Sequence, residues 1–419
     1  MVTLTTAENA LKTVYLGVLA NQLNVNANPL LGKIKQTTSD VWGKEIVKMA
    51  PFGINGGIGA GSEDGQLPKA GGNNYAQFKS TLKNLYGVIE ISDKAVRASL
   101  NSAGAFVNLL NNEMEELIKS SSYNMGRMLY GDGSGKLTAC VATTANNTEI
   151  NVADTRNLIE GMTICAVASS GAYVNNGYAM RIKKVDKANK KIYVDGEGFT
   201  VALTANHTLA VQGSLNNELT GLEAIFDSSK TTLYGLSKSD YPFVQPYVKS
   251  DAGVIDESLI QSALDEIEES TGNNIDFIST TYALRRAFQE YLGNYRRFVD
   301  TTELAGGFKA ISYNGIPVVA DKFVASGDVY LLNTKDFAIH QLCDWQWLEG
   351  EDGRVIKQKN NYPAYTATLV KYADLICDRP GGQGKLSGVT ATETKTDTSN
   401  TQTETNPDSN NTEQNQSGN

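Results

Sequence analysis

Histidine is the scarcest chemically versatile residue in this chain, with only His207 and His340 among 419 residues. Neither stands in H-E-x-x-H or any other metal-ligand spacing, so a multi-histidine metal centre and a Ser–His–Asp triad are nearly excluded. Cysteine is almost as sparse: Cys140, Cys165, Cys343 and Cys377. No two form C-x-x-C, which argues against zinc or redox motifs, and separations this wide do not read as a secreted disulfide framework. Buried, reduced thiols in a cytoplasmically made protein are expected. No stretch approaches the roughly 20 apolar residues that a bilayer span needs. Residues 1–20 lack the basic and apolar regions of a signal peptide. No membrane association is expected. Positive charge is also short, with 37 Lys and Arg against 46 Asp and Glu, a net charge of −9. The segment after Val389 carries Glu393, Asp397, Glu404, Asp408 and Glu413 against Lys395, a net of −4, which leaves −5 for the rest. An acidic body does not favour tight nucleic-acid binding, which needs clustered Lys and Arg.

What is present is an ordinary globular composition, 41% hydrophobic and 20% charged, long enough for about two or three domains. Residues 1–40 read as an arm. Ala7–Leu23 has an amphipathic pattern (Leu11, Val14, Tyr15, Val18, Leu19), and Asn28-Pro29 marks a coil. Strand-like residues 42–49, a glycine-rich stretch from Gly53 to Gly72, and a second strand-like run from Phe78 to Ser92 predict an extended hairpin with little core of its own. The run 103–130 is the strongest helix. Phe106, Leu109, Leu110, Met114, Leu117, Ile118, Met125, Met128 and Leu129 recur at three-and-four spacing, and Gly131 provides a stop. At 1.5 Å per residue it is a spine of ~40 Å. Residues 137–212 read as all-β, with a hairpin over 182–194. From Asp256 a helical period returns (Leu259, Ile260, Ala263, Leu264, Ile267) and closes at Thr271-Gly272. A strand at 275–279, a helix at 281–292, and a hairpin turning at Asn314-Gly315 follow. Further strands are expected at 329–332, 337–342 and 363–378. The order gives an α+β class. Residues 390–419 hold Thr, Asn, Gln, Ser and acids without aromatics, a composition expected to be disordered.

Several motif candidates fail on spacing or context. Gly131-Asp-Gly-Ser-Gly-Lys136 is one residue short of a phosphate loop and follows a helix. Gly56-Gly57-Ile-Gly59-Ala-Gly61 lacks the last glycine of a dinucleotide fingerprint and no helix follows; flexibility at a hairpin tip explains it better. The acids from Asp265 to Glu269 fall opposite the apolar helix face and read as a solvated surface. Trp345 and Trp347, at alternate strand positions, share a face and read as core or subunit contact. The sequon Asn206-His207-Thr208 carries no weight. No catalytic, cofactor-binding or metal residues are assigned.

The order arm, long hairpin, spine helix, α+β domain and terminal strand resembles the major capsid proteins of tailed bacteriophages, with their Hong Kong 97-type fold. Gly-Arg-Met-Leu-Tyr-Gly-Asp-Gly at 126–133, Ile275-Asp276-Phe277-Ile278 before Arg285-Arg286-Ala287-Phe288, and Gly315-Ile-Pro-Val-Val-Ala-Asp321 carry the resemblance. Tyr330-Leu-Leu-Asn333 and Asp344-Trp-Gln-Trp-Leu-Glu-Gly-Glu-Asp-Gly353 add to it, over about residues 31–389. The resemblance implies an N-terminal arm (1–40), an extended loop (41–98), and a peripheral domain with its spine helix (99–136) and returning strands (341–389). It implies an axial domain (215–340). Residues 137–214 depart from the minimal fold as an inserted small all-β domain, and 390–419 form the tail. The implied role is not enzymatic: self-assembly into pentamers and hexamers of an icosahedral shell around double-stranded DNA, in the virion after assembly in the host cytoplasm. Implied partners are further copies of the chain, a portal, scaffolding proteins and decoration proteins. Because the arm starts almost at Met1, scaffolding is expected from a separate protein or not at all. Some relatives join subunits by Lys–Asn isopeptide bonds; Lys48, Lys69 and Lys79 lie in the loop, but no partner motif matches. An encapsulin-type compartment on the same fold and a soluble α+β enzyme are the alternatives.

Overall fold

A computed structural model describes residues 28–94, 103–295, 301–304, 308–351 and 353–391. The patterns read at residues 7–23 and in the acidic tail therefore lie outside the described residues.

The first part of the chain forms β1 (Lys35–Thr37), β2 (Glu45–Phe52), β3 (Asn74–Thr81), β4 (Lys83–Ser92) and helix α1 (Ala103–Leu129). Six strands follow: β5 (Lys136–Ala139), β6 (Glu149–Asn151), β7 (Thr163–Ala168), β8 (Met180–Asp186), β9 (Lys191–Val194) and β10 (His207–Val211). The next part contains β11 (Tyr247–Lys249), α2 (Glu257–Thr271), β12 (Phe277–Thr280), α3 (Tyr282–Tyr295), β13 (Thr301–Leu304), β14 (Phe308–Tyr313), β15 (Ile316–Ala320) and β16 (Val329–Leu332). Two long strands, β17 (Phe337–Trp347) and β18 (Ala364–Cys377), and a short β19 (Gly384–Leu386) complete it.

Local chemistry accounts for the helices. In α1, Met114, Ile118, Met125 and Leu129 are buried on one stripe while Glu113, Glu115 and Lys119 face solvent, the pattern that packing one face demands. The amide of Gly131 ends the helix on the Met128 carbonyl at 3.0 Å. In α2 the Asp256 side chain accepts from the Leu259 amide at 2.6 Å, and Gly272 closes it at φ +64°, where a side chain is disfavoured.

Three sheets organise the body. In the first, β18 is central, paired with β4 across ten positions from Ala364↔Ser92 to Ala373↔Lys83. On its other flank runs β17, whose outer edge carries β1 in parallel. Helix α1 lies on this sheet so closely that a Cβ at Gly87 would sit 2.8 Å from Leu117. The second is seven-stranded, in the order β11-β19-β16-β12-β15-β14-β13. Alternation sends its side chains into two cores. Phe277, Val319, Tyr330 and Leu332 face the α1 core, while Ile278, Val318 and Leu331 face the core shared with Ile260, Ile267 and Phe288. The Asn314-Gly315 turn between β14 and β15 has both residues at positive φ, 50° and 81°, as a two-residue hairpin of this twist requires.

The third sheet, β5-β10-β7-β8-β9-β6, is wholly antiparallel and closes on itself. The Val141 amide donates to Asn151 O at 2.9 Å and the Ala153 amide to Ala139 O at 3.0 Å, joining the first strand to the last. Ile150, Ile164, Ile182, Ile192 and Leu209 fill the resulting barrel at no more than 1% exposure.

Two expectations are corrected. The run Phe78–Ser92 is not one hairpin strand. It breaks at Leu82, whose amide donates to Lys44 O at 3.0 Å and whose side chain is buried. Residues before the break pair with β2, and those after it cross to β18. The segment expected as returning strands, 341–389, divides as well. β19 joins the seven-stranded sheet because Leu386 is fully buried there and Lys385 bridges Glu223 at 2.6 Å and Asp328 at 2.9 Å. Residues 215–246, grouped with the axial part from sequence, place Leu222, Ile225, Leu233 and Val244 in the core that α1 shares with Phe277, Val319 and Tyr330 of the seven-stranded sheet.

Candidate assembly surfaces

The hairpin of β2 and β3 is in register from Glu45↔Thr81 to Phe52↔Asn74. Its root is pinned at several points. The Lys79 amide donates to Tyr234 O at 2.9 Å, and Lys48 Nζ lies 2.7 Å from Asp378. Phe52 stacks on Phe243 with ring centroids 5.1 Å apart, while Phe78 is buried against Tyr234. The Ser80 hydroxyl donates to Asp374. That carboxylate, fully buried, also accepts from the Thr220 amide and hydroxyl and the Leu375 amide. Burial pushes Asp374 above the usual carboxylate range, partly offset by these donors.

Beyond Phe52 the anchoring stops. Ile54, Ile58 and Leu67 are 86%, 89% and 85% exposed. Around them the backbone doubles back tightly: a Cβ on Gly71 would meet the Gly57 nitrogen at 2.5 Å, so glycine is required there. Below the tip a groove of about 1420 Å³ opens between the hairpin root and the 226–250 segment, lined by Phe52, Ile54, Phe243, Tyr247 and Arg379. Three large apolar side chains on a lobe with no core are a surface that association would cover.

The motifs that carry the family resemblance meet at the end of α1. Gly126 permits the Phe323 ring to approach; a Cβ there would sit 2.6 Å from it. Arg127 pairs bidentately with Glu218 at 2.8 and 2.5 Å, both side chains 4% exposed. The Tyr130 and Ser279 hydroxyls are 2.6 Å apart. Asp321, closing the Gly315–Asp321 motif, accepts from the Phe323 amide at 2.9 Å and from the Asn28 amide side chain. Burial raises Asp321 to about 6. Asn28 also receives the Leu30 amide at 2.8 Å, so the arm is fastened where it reaches the body. Sequence reasoning passed over Arg127–Glu218 and the Asp374 hub, whose partners lie far apart along the chain; nothing local marks such pairs.

The remaining sequence candidates do not converge. His207 is the half-exposed first residue of β10, its ring accepting from the Thr204 amide, and buried His340 has Nδ1 2.8 Å from Ser39 O. Asp265, Glu266, Glu268 and Glu269 are exposed around buried Ile267. In the glycine-rich stretch after α1, Asp132 receives the Ser134 amide at 2.9 Å in a local turn. Trp345 and Trp347 both enter the α1 core. Lys48 is engaged with Asp378, whereas Lys69 and Lys79 are exposed. Among the described residues no group of three His, Cys, Asp or Glu side chains is arranged to hold a metal, and no helix is long and apolar enough to cross a membrane.

The fold has counterparts among solved structures. The capsid asymmetric unit of cyanophage A-1(L) superposes with a TM-score of 0.51 at 13% identity, over 90% of this chain and 93% of that one. A chain from Mycobacterium phage Adephagia gives 0.45 at 10% identity, over 88% and 92%. The SrpI encapsulin complex of Synechococcus elongatus PCC 7942 gives 0.41 at 10% identity, over 87% and 88%. No family model and no curated protein matches the sequence. The first superposition establishes the fold: this is an α+β chain of the Hong Kong 97 type, the architecture of tailed-phage capsid subunits.

Proposed function

We propose that this chain is the major capsid protein of a tailed phage, a non-enzymatic subunit that assembles into hexamers and pentamers of a closed shell around double-stranded DNA. The hairpin carries this reading. Its root is fixed to the body by hydrogen bonds, an ion pair and ring stacking, while its tip projects Ile54, Ile58 and Leu67 into solvent. A lone molecule gains nothing from that arrangement; a neighbour beneath the tip buries it. Ring-forming contacts of this kind are heterologous, and many weak ones sum across a shell.

On this reading residues 41–81, within the 41–98 expected from sequence, are the extended loop, α1 and the β4-β18-β17 sheet the peripheral domain, and the seven-stranded sheet with α2 and α3 the axial domain. The barrel is an addition to the minimal fold. Portal, scaffolding and decoration proteins are the expected partners, and the virion the expected location. Negative-stain electron microscopy of the purified chain tests the reading, alone and beside deletion of residues 56–71. The intact chain is expected to form closed shells or tubes of hexamers, and the deletion a soluble subunit that forms neither. Normal shells from the deletion, or only small discrete particles from the intact chain together with its neighbouring viral gene products, would overturn it.

A further inference from the structure

The barrel carries a concentration of positive charge at odds with the rest of the chain. Residues 180–191 contain Arg181, Lys183, Lys184, Lys187, Lys190 and Lys191 against Asp186, a net of +5 in a protein of net −9. They form β8, the turn after it and the start of β9. Lys191 is paired with Glu149 at 2.5 Å, and Lys184 lies over the Tyr193 ring at 5.4 Å. Arg181, Lys183, Lys187 and Lys190 are exposed, and among the described residues none of the four makes an ion pair.

The stripe continues onto the body. Lys187, in the turn, is close enough to Lys322 for their like charges to interact. Lys322 stands over the Tyr123 and Phe323 rings at 4.6 and 4.7 Å and likewise has no ion-pair partner among the described residues. Its ammonium is held below the usual lysine range by burial, opposed by Asp321 and reinforced by Lys187. Facing lysines left unneutralised are what an anionic occupant would relieve.

One such occupant is tethered alongside. Lys322 shares the loop between β15 and β16 with Gly327, whose carbonyl receives the Val389 amide at 2.9 Å. The described chain ends two residues later at Ala391, so residues 392–419 continue from a point tied to the loop that carries Lys322. That segment holds Glu393, Asp397, Glu404, Asp408 and Glu413 against a single lysine and has no aromatic residue. A chain of this length covers about 30 Å on average as a flexible coil, ample for a stripe rooted at the same loop. We propose that the acidic segment 392–419 lies across the basic stripe from Arg181 to Lys322 and neutralises it, an electrostatic clasp that denies the stripe to other polyanions. The proposal does not rest on the shell reading.

The test compares the full chain with one ending at Ala391, using a short fluorescent oligothymidylate as the polyanion probe. Truncation is expected to tighten probe binding by about tenfold or more at low salt, with a steep salt dependence. Adding Lys183→Gln, Lys187→Gln and Lys190→Asn to the truncated chain should reverse the gain; Asn suits the φ of +52° at position 190. In the full chain, a zero-length carboxyl–amine cross-linker should join Glu404, Asp408 or Glu413 to Lys183, Lys187 or Lys190, and the products should vanish at high salt. Equal probe binding by the full and truncated chains, or cross-links from the tail carboxylates only to other lysines, would overturn the clasp.

Discussion

Two lobes leave the body of this molecule, and they solve the problem of apolar residues in opposite ways. The barrel of β5–β10 turns Ile150, Ile164, Ile182, Ile192 and Leu209 inward and closes its own hydrogen-bond circuit. The hairpin tip, residues 53–73, leaves Ile54, Ile58 and Leu67 outside and is held by its root alone. The barrel has enough strands to satisfy both its backbone and its side chains, whereas the tip beyond Phe52 has no second layer to bury its side chains against. A self-contained lobe needs no neighbour to be stable; an uncovered one points to a neighbour.

Perturbations of unequal size sharpen the contrast. Arg127→Met at the joint between α1 and the barrel should have the largest effect. It strands Glu218 as a buried, unpaired charge and is expected to cost about 3–5 kcal/mol. Denaturant unfolding should show the loss, with hydrogen exchange accelerating in α1 and the 215–246 segment while barrel amides stay protected. Ile192→Ala should remove about 2–4 kcal/mol from the barrel alone, raising exchange in β7–β10 without preventing shell formation. If that change destabilised the body equally, the barrel would not be the independent unit its closed core describes.

A pH titration probes the body side of the same joint. Asp321, near 3.8 when unfolded, titrates at about 6 in the fold, so its contribution to stability is fully present below pH 4 and is lost as pH rises through 6. Urea midpoints for the native chain and Asp321→Asn should diverge in slope across pH 4–7, by up to about 3 kcal/mol in total. Parallel curves would place the titration elsewhere. The smallest stability effect belongs to the deletion of residues 56–71, expected within about 0.5 kcal/mol because nothing buried is removed, even though the same deletion is expected to abolish assembly.

The legible parts of the sequence were those with local signatures. The period of α1, the closure of α2 at Gly272, and the Asn314-Gly315 turn each depend on residues a few positions apart, and each is found where the pattern put it. The strand exchange at Leu82 was not legible, since alternation continues through it and only the choice of partner changes. Lys385 gave no warning that β19 leaves the β18 sheet, because the Glu223 and Asp328 that hold it are distant in the chain. For the candidate surfaces, glycine content and the absence of a core marked the tip. The basic run from Arg181 to Lys191 was passed over in the sequence, and its extension to Lys322 depends on how barrel and body meet.

The break at Leu82 has a mechanical consequence. A pull on the tip along β3 passes directly into β4, which lies antiparallel to β18 over ten paired positions. Force applied along those strands acts on the ladder in shear, so its hydrogen bonds share the tension and must fail together. Had 78–92 been a single hairpin strand, the same pull would have ended on the shorter β2–β3 ribbon. By changing sheets in mid-strand, the chain ties its most outlying residues to the central strand of its first sheet.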